Sequence, residues 1–215
     1  EALRQVSKWA DKNLRMDWEA ILIDKVKRIF DILVSFLLIV ILLIPLVIIT
    51  FLVFMDIRGN PIFTQYRNGE NLKKFKIYKF RTMTVNEDGI SSFQQAKKSD
   101  SRITYLGKIL RKTSIDELPQ IFNVFFGNMS FVGPRPHPIA LDDEFKHKIP
   151  KYLDRYNVKP GITGLAQING FRGETDTIEK MSNRINSDLE YIDKNFFLFD
   201  IIIILKTFKV VFKGS

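Results

Sequence analysis

The chain has 215 residues, 33 of them Lys or Arg against 24 Asp or Glu, so its net charge of +9 calls for anionic partners: nucleotides, nucleic acid or acidic lipid headgroups. The absence of cysteine excludes disulfides, thiolate catalysis and Cys-bound zinc. With His137 and His147 as the only histidines, any metal should be a hard, oxygen-liganded ion such as Mg²⁺.

The sequence begins at Glu1 rather than Met, and further residues are expected upstream. Residues 1–24 predict an amphipathic helix, with Leu3, Val6, Trp9, Ala10, Leu14, Trp18, Ile21 and Leu22 at roughly helical spacing. Trp9 and Trp18 suit a membrane headgroup region; a helix packed on the protein itself is the alternative.

Residues 25–57 contain the dominant apolar run. No residue from Ile32 to Met55 is charged, and as a helix those residues would extend about 36 Å, enough to cross a bilayer core. Three features favour a re-entrant helical hairpin over a crossing. Pro45 deletes a backbone hydrogen bond in mid-run and should kink the helix. Lys25, Lys27 and Arg28 precede the run and Arg58, Lys73, Lys74 and Lys76 follow it, which fits both ends on one membrane face. Little chain precedes Ile32. A single ordinary span remains the competing reading.

Residues 58–194 form the expected main domain, which the resemblance given below makes cytosolic and catalytic. Asp56 to Pro61 is a turn. Ile62–Tyr66 and Phe75–Arg81 alternate as short strands joined through Gly69-Glu70-Asn71. On an extended chain Lys79 and Arg81 share one side, where they would hold a diphosphate or simply form a solvated edge. Residues 84–101 lack period and predict a mobile loop; Ile103 to Leu110 predicts a short helix ending at Arg111-Lys112.

Asp116-Glu117 follows, two adjacent carboxylates beside a basic pair. Ser114-x-x-Glu117 matches a capping box, which would make Glu117 structural. If Asp116 is instead the N-cap, Pro119 falls in the first turn, where its missing N–H is not needed. We favour the second placement, which frees Glu117 and sets Asp116 at the positive end of a helix dipole. Beyond it Arg135 stands between Pro134 and Pro136, which stiffen its backbone into an extended form and make its guanidinium a fixed fork for phosphate. Residues 139–157 predict a charged helix followed by a surface-exposed Tyr152 and Tyr156. Val158 to Gly170 is a short strand among glycines that permit close backbone approach. A helix is expected from about Thr177 to Lys194, capped by Thr177 or Asp176.

Residues 195–215 form an apolar tail whose lysines, Lys206, Lys209 and Lys213, fall in one stripe at 100° per residue. That describes a helix in the membrane interface; a buried core helix is the alternative.

Taken together, the Pro-broken hairpin, Tyr78-Lys79-Phe80-Arg81-Thr82-Met83, Asp116-Glu117-Leu118-Pro119-Gln120, Gly133-Pro134-Arg135-Pro136 and Lys159-Pro160-Gly161-Ile162-Thr163-Gly164 resemble the monotopic phosphoglycosyl transferases, also called bacterial sugar transferases. The resemblance covers about Lys25 to Lys213, and Arg172-Gly173-Glu174-Thr175-Asp176-Thr177 is similar to members that start exopolysaccharide or capsule synthesis from UDP-glucose or UDP-galactose. It implies an α/β, helix-dominated fold with short strands, anchored monotopically at the cytosolic face of the bacterial inner membrane. It also implies transfer of a sugar phosphate from a UDP-sugar to a polyprenol phosphate such as undecaprenyl phosphate, with UMP released.

By resemblance Asp116 is the nucleophile, Glu117 the residue that with it holds Mg²⁺, and Lys79, Arg81, Arg111 and Arg135 the phosphate-steadying cations. The expected partners are the two substrates and membrane lipids, not nucleic acid; a homodimer is compatible. Leu72 stands where the family usually has glycine, Asn128 where it has aspartate, Phe171 where arginine is common, Ile44-Pro45 in place of Ser-Pro, and Lys194-Asn195-Phe196 in place of Asn-Trp-Ser, which leaves the sugar open. Two other functions fit part of the sequence. A membrane-tethered basic domain binding nucleic acid or acidic lipid explains the charge and apolar run, but not the acid pair among cations. A UDP-sugar glycosyltransferase would release UDP.

Overall fold

The computed structural model describes the backbone of residues 2–84, 100–173, 175, 177–194 and 196–213, and the side chains of these residues from 21 to 210. The centre of the expected 84–101 loop, the side chains of Trp9 and Trp18, and the alternative cap Asp176 lie outside the described residues.

Among the described residues the fold is helix-dominated, with four short strands in two two-stranded sheets. Helix α1 (Ala2–Ile57) stays helical through Pro45. Among its described side chains only a narrow stripe is buried, including Asp31, Ser35, Leu46 and Val53. A wide apolar face, among it Leu33, Phe36, Leu37, Val40, Ile41, Ile44 and Ile48, is exposed. Such a face in water would be costly at about 25 cal/mol per Å², so it marks a surface built for lipid or protein.

Both halves of α1 are fastened to the rest of the molecule. On the N-terminal side Lys27 pairs with Asp200 at 2.9 Å and donates to the Val132 carbonyl at 2.9 Å. Arg28 donates to the carbonyls of Val124 and Phe125, and Asp31 accepts from the Phe131 amide at 3.1 Å. On the C-terminal side Leu42, Leu46, Ile49, Val53 and Ile57 join a cluster with Phe80, Leu110, Leu118 and Phe122.

After the turn, β1 (Ile62–Asn68) pairs antiparallel with β2 (Lys74–Phe80), each two residues or fewer from its expected bounds. A 3-10 turn, Glu70–Leu72, joins them with Asn71 and Leu72 at φ +53° and +59°. That left-handed conformation is why glycine suits position 72. Helix α2 (Tyr105–Thr113) is capped by Thr104, whose hydroxyl accepts from the Gly107 amide. A β-carbon at Gly107 would lie 2.2 Å from the Thr82 carbonyl oxygen, so glycine is what lets α2 close on the end of β2.

Helix α3 (Gln120–Phe125) follows, then β3 (Ser130–Val132), which pairs in parallel with β4 (Gly161–Thr163). The expected close approach is between these two: a β-carbon on Gly161 would lie 2.1 Å from the Gly133 amide nitrogen, and one on Gly164 2.3 Å from the Gly133 carbonyl oxygen.

One expectation is corrected here. The charged helix shrinks to α4 (Ile139–Phe145), and Tyr152 and Tyr156 are buried, not on the surface. They pack with Leu141, Phe145, Ile149, Met181 and Ile185, the last two from α6 (Ile178–Asp193). Their 141-145-149-152-156 spacing is itself a helical apolar stripe. Short helix α5 (Leu165–Ile168) leads toward α6, whose cap is Thr177. Helix α7 (Phe197–Lys213) divides between the two readings of the tail, with one face packed on the domain. Asp200 and Ile203 are buried, and the Thr207 hydroxyl meets that of Thr163 at 2.6 Å. The opposite stripe, Leu198, Ile202, Leu205 and Phe208, is exposed, as are Lys206 and Lys209.

Candidate active site

Asp116 and Glu117 lie on a 3-10 turn, Ile115–Glu117, between α2 and α3. Neither expected capping arrangement forms. Ser114 takes the left-handed conformation (φ +60°) that ends α2, and the turn is closed by backbone bonds from Glu117 and Leu118 to the carbonyls of Ser114 and Ile115. Pro119 sits just before α3, where its missing N–H costs nothing, so that half of the expectation holds. With the backbone satisfied locally, both carboxylates are released from structural duty on the helix.

Each neighbour then fixes a partner. Asn123, fully buried on α3, accepts from the Tyr78 amide at 3.0 Å and donates to the Lys76 carbonyl at 2.7 Å, which rivets α3 to β2. That contact brings Lys79 over Glu117, Nζ to Oε1 at 3.0 Å. From the other side Arg135 holds Glu117 with both guanidinium nitrogens, Nη1 to Oε2 at 3.0 Å and Nη2 to Oε1. Arg135 is itself steadied from behind by Arg155, which donates to its carbonyl at 2.6 Å and pairs with Asp188 at 2.8 Å.

The two carboxyls are driven apart electrostatically. Burial alone would raise Glu117, but Arg135 and Lys79 outweigh it and hold it well below the usual carboxylate range. Burial and the Glu117 charge push Asp116 up to about 6, against the pull of Lys79, Arg111 and Arg135. Burial also lowers the Lys79 ammonium. The Asp116 carboxylate makes no hydrogen bond or ion pair among the described residues, and neither of its oxygens belongs to the sealed polar atoms without partners. One acid is fully engaged and the other is left to react or to bind.

Of the remaining expected cations, Arg111 points its Nε at the Thr82 hydroxyl (2.9 Å), and its charge reaches Asp116. Arg81 does not join Lys79 at the carboxylates; its side chain makes no hydrogen bond or ion pair among the described residues. Arg172 is a residue the sequence reading passed over as a site member. Its guanidinium donates to the Ser114 hydroxyl at 2.8 Å and its charge helps depress Glu117. Only its place in the Arg172-Gly173 segment hinted at this.

His137 is buried with Arg155 against Nδ1 and Arg184 at 3.4 Å from Nε2, and burial plus these cations hold it well below its ordinary value, hence neutral. Its ring nitrogens face Tyr152, Arg155 and Arg184, not the acid pair. Among the described residues no third acid or histidine joins Asp116 and Glu117 to complete a protein-only metal cage.

The bacterial sugar transferase family model matches residues 22–214. The chain is 50% identical over 188 residues to the UDP-glucose:undecaprenyl-phosphate glucose-1-phosphate transferase of Klebsiella pneumoniae, covering 87% of this chain and 40% of that protein. It is 43% identical over 185 residues to the protein of the same name from Caulobacter vibrioides, covering 86% and 69%. It is also 40% identical over 192 residues, covering 88% and 44%, to the UDP-N-acetylgalactosamine-undecaprenyl-phosphate N-acetylgalactosaminephosphotransferase of Aeromonas hydrophila.

Proposed function

We propose, because this chain belongs to the bacterial sugar transferase family, that it transfers a sugar 1-phosphate from a UDP-sugar to undecaprenyl phosphate and releases UMP. UDP-glucose is the first donor to try, given the relatives named for it. The observation that carries the mechanism is the division between the two acids: Glu117 is spent on Lys79 and Arg135, while Asp116 is buried, raised to about 6 and without a partner among the described residues.

In the first step an Asp116 oxygen attacks the β-phosphorus of the donor. The bond from that phosphorus to the α-phosphate oxygen breaks, and UMP departs with the electron pair. In the second step a phosphate oxygen of the acceptor attacks the same phosphorus. The bond to Asp116 breaks, the carboxylate is restored, and the product is a polyprenyl diphosphate sugar. Lys79, Arg111, Arg135 and Arg172 offset phosphate charge during both displacements.

Mg²⁺ is part of the reading. An ion that keeps several waters and takes one or two carboxylates plus substrate phosphates suits the free Asp116. Glu117 becomes a ligand only if Lys79 or Arg135 turns from it toward the diphosphate. When bound, the ion supplies positive charge on the leaving phosphate.

The exposed face of α1, with both its halves docked on one domain, supports a re-entrant anchor that keeps the catalytic domain on the cytosolic side. The chain spans 40% of the length of the Klebsiella pneumoniae relative, so the sugar and the acceptor are set by experiment. The protein is incubated with UDP-sugars, undecaprenyl phosphate and Mg²⁺, and the nucleotide and lipid products are identified. UMP and a lipid-linked sugar diphosphate are expected; UDP would sink the reading. Mass spectrometry after donor alone should place the sugar-phosphate adduct on Asp116.

A further inference from the structure

We propose that the groove lined by Val47, Thr50, Phe51, Phe54 and Pro61 seats the acceptor's isoprenoid chain, and that Arg58 and Arg81, whose backbone amides bond to the groove residues Phe54 and Pro61, take the acceptor's phosphate. The inference rests on the polyprenyl-phosphate reading above and adds the place where that substrate binds.

The groove has a volume of about 350 Å³, at the lower end of small-molecule sites. Four of its residues follow helical spacing (47, 50, 51, 54) in the half of α1 beyond Pro45, and the fifth comes from the turn after the helix. Val47, Phe51 and Phe54 are exposed. The neighbouring stripe Leu46, Ile49 and Val53 is spent on Phe80 and Leu110. The helix therefore uses one side to hold the domain and keeps an adjacent concave apolar side open.

Two cationic residues whose backbones adjoin the groove say what kind of chain it suits. Arg58 lies four residues beyond Phe54 and its amide donates to the Phe54 carbonyl at 2.9 Å. The Arg81 amide donates to the carbonyl of Pro61, a groove residue, at 2.8 Å. Neither guanidinium has a hydrogen bond or ion pair among the described residues. By contrast Lys27, Arg28, Arg67, Lys79, Arg111, Arg135, Arg155, Arg172 and Arg184 are all engaged. Two arginines with unengaged guanidiniums, whose backbones adjoin an apolar groove, complement an amphiphile with a doubly charged phosphate head, which guanidinium binds through paired N–H donors.

The location is also right for the second step. Arg81 is two residues past Lys79, about 7 Å along an extended chain, and Lys79 already touches Glu117. Thr82, the next residue, holds Arg111. A phosphate on Arg81 thus sits one short stretch of backbone from the acid pair.

The test uses the full chain in nanodiscs. An isoprenyl phosphate carrying a photoreactive group on its chain should label the peptide containing residues 47–61. Labelling should be competed by undecaprenyl phosphate and not by phosphatidylglycerol. In Thr50→Trp, which fills the groove, and in Arg81→Gln, kcat/KM for undecaprenyl phosphate should fall at least about 10-fold further than the burst of UMP seen with donor alone, as expected for losing a charged hydrogen bond. Thr50→Trp should also lose the preference for long-chain over short-chain isoprenyl phosphates. Phe51→Ala, which widens the groove, reports on the same contacts if Thr50→Trp does not fold. Labelling elsewhere, equal competition by phosphatidylglycerol, or parallel losses in both measurements would overturn the site. A wild-type protein that makes no lipid-linked sugar overturns the underlying function instead.

Discussion

Asp116→Asn should stabilise the protein while abolishing turnover, and the gain should depend on pH. Asp116 titrates near 6 in the fold against an ordinary 3.8, chiefly because it is buried and next to the ionised Glu117. A raised carboxyl favours the folded state while protonated and loses that advantage as pH climbs through the folded value. Wild type therefore gives up stability between about pH 4 and pH 6, and an always-neutral Asn does not. The shift of about 2 units corresponds to at most about 3 kcal/mol above pH 7, and about half of that at pH 5. For a chain of this size that is roughly 6–12 °C in Tm at pH 7.5. Thermal unfolding of detergent-solubilised wild type and Asp116→Asn at pH 5.0 and 7.5 measures it. Equal Tm values at pH 7.5, or a gain that grows on acidification, would refute the assignment of the perturbed acid to Asp116. The same titration should make turnover fall as pH drops through about 6.

Glu117→Gln leaves Lys79 and Arg135 buried without their counter-charge, and should cost about 3 kcal/mol together with nearly all activity, read by thermal unfolding and UMP release. Gly161→Ala drives a methyl to 2.1 Å from the Gly133 amide nitrogen. It should part β3 from β4, cost about 1–3 kcal/mol and shift Arg135, two residues beyond Gly133, so that kcat falls with the Tm. Leu72→Gly relieves a left-handed, exposed leucine and should raise stability by about 0.5–1 kcal/mol with turnover unaffected; a lower Tm would show that the leucine is packed after all.

Local order carried much of this molecule. The apolar run of α1, the β1–β2 hairpin, the Thr177 cap and the proline after the acid pair are all readable because each depends on residues within a few positions: periodicity, turn chemistry, a missing N–H. The pairing of Asp116 with Glu117 was visible for the same reason, as was the rigidity of Arg135 between prolines. What went astray depended on what lay opposite. Tyr152 and Tyr156 looked like surface until α6 covered them, and the lysine stripe of α7 gave no sign that Asp200, on another face, meets Lys27.

The amino-acid order by itself settled which chemistry this chain can attempt: two neighbouring acids, a surplus of cations, no thiol and a long apolar helix. Tertiary structure decided which acid is free. Lys79 and Arg135 lie 38 and 18 residues from Glu117 along the chain, and only the riveting of β2 to α3 and the backbone contact of Gly133 with Gly161 bring both cations to one carboxylate. A charge's state is set by the field at its position, and that field comes from groups the chain order leaves far apart.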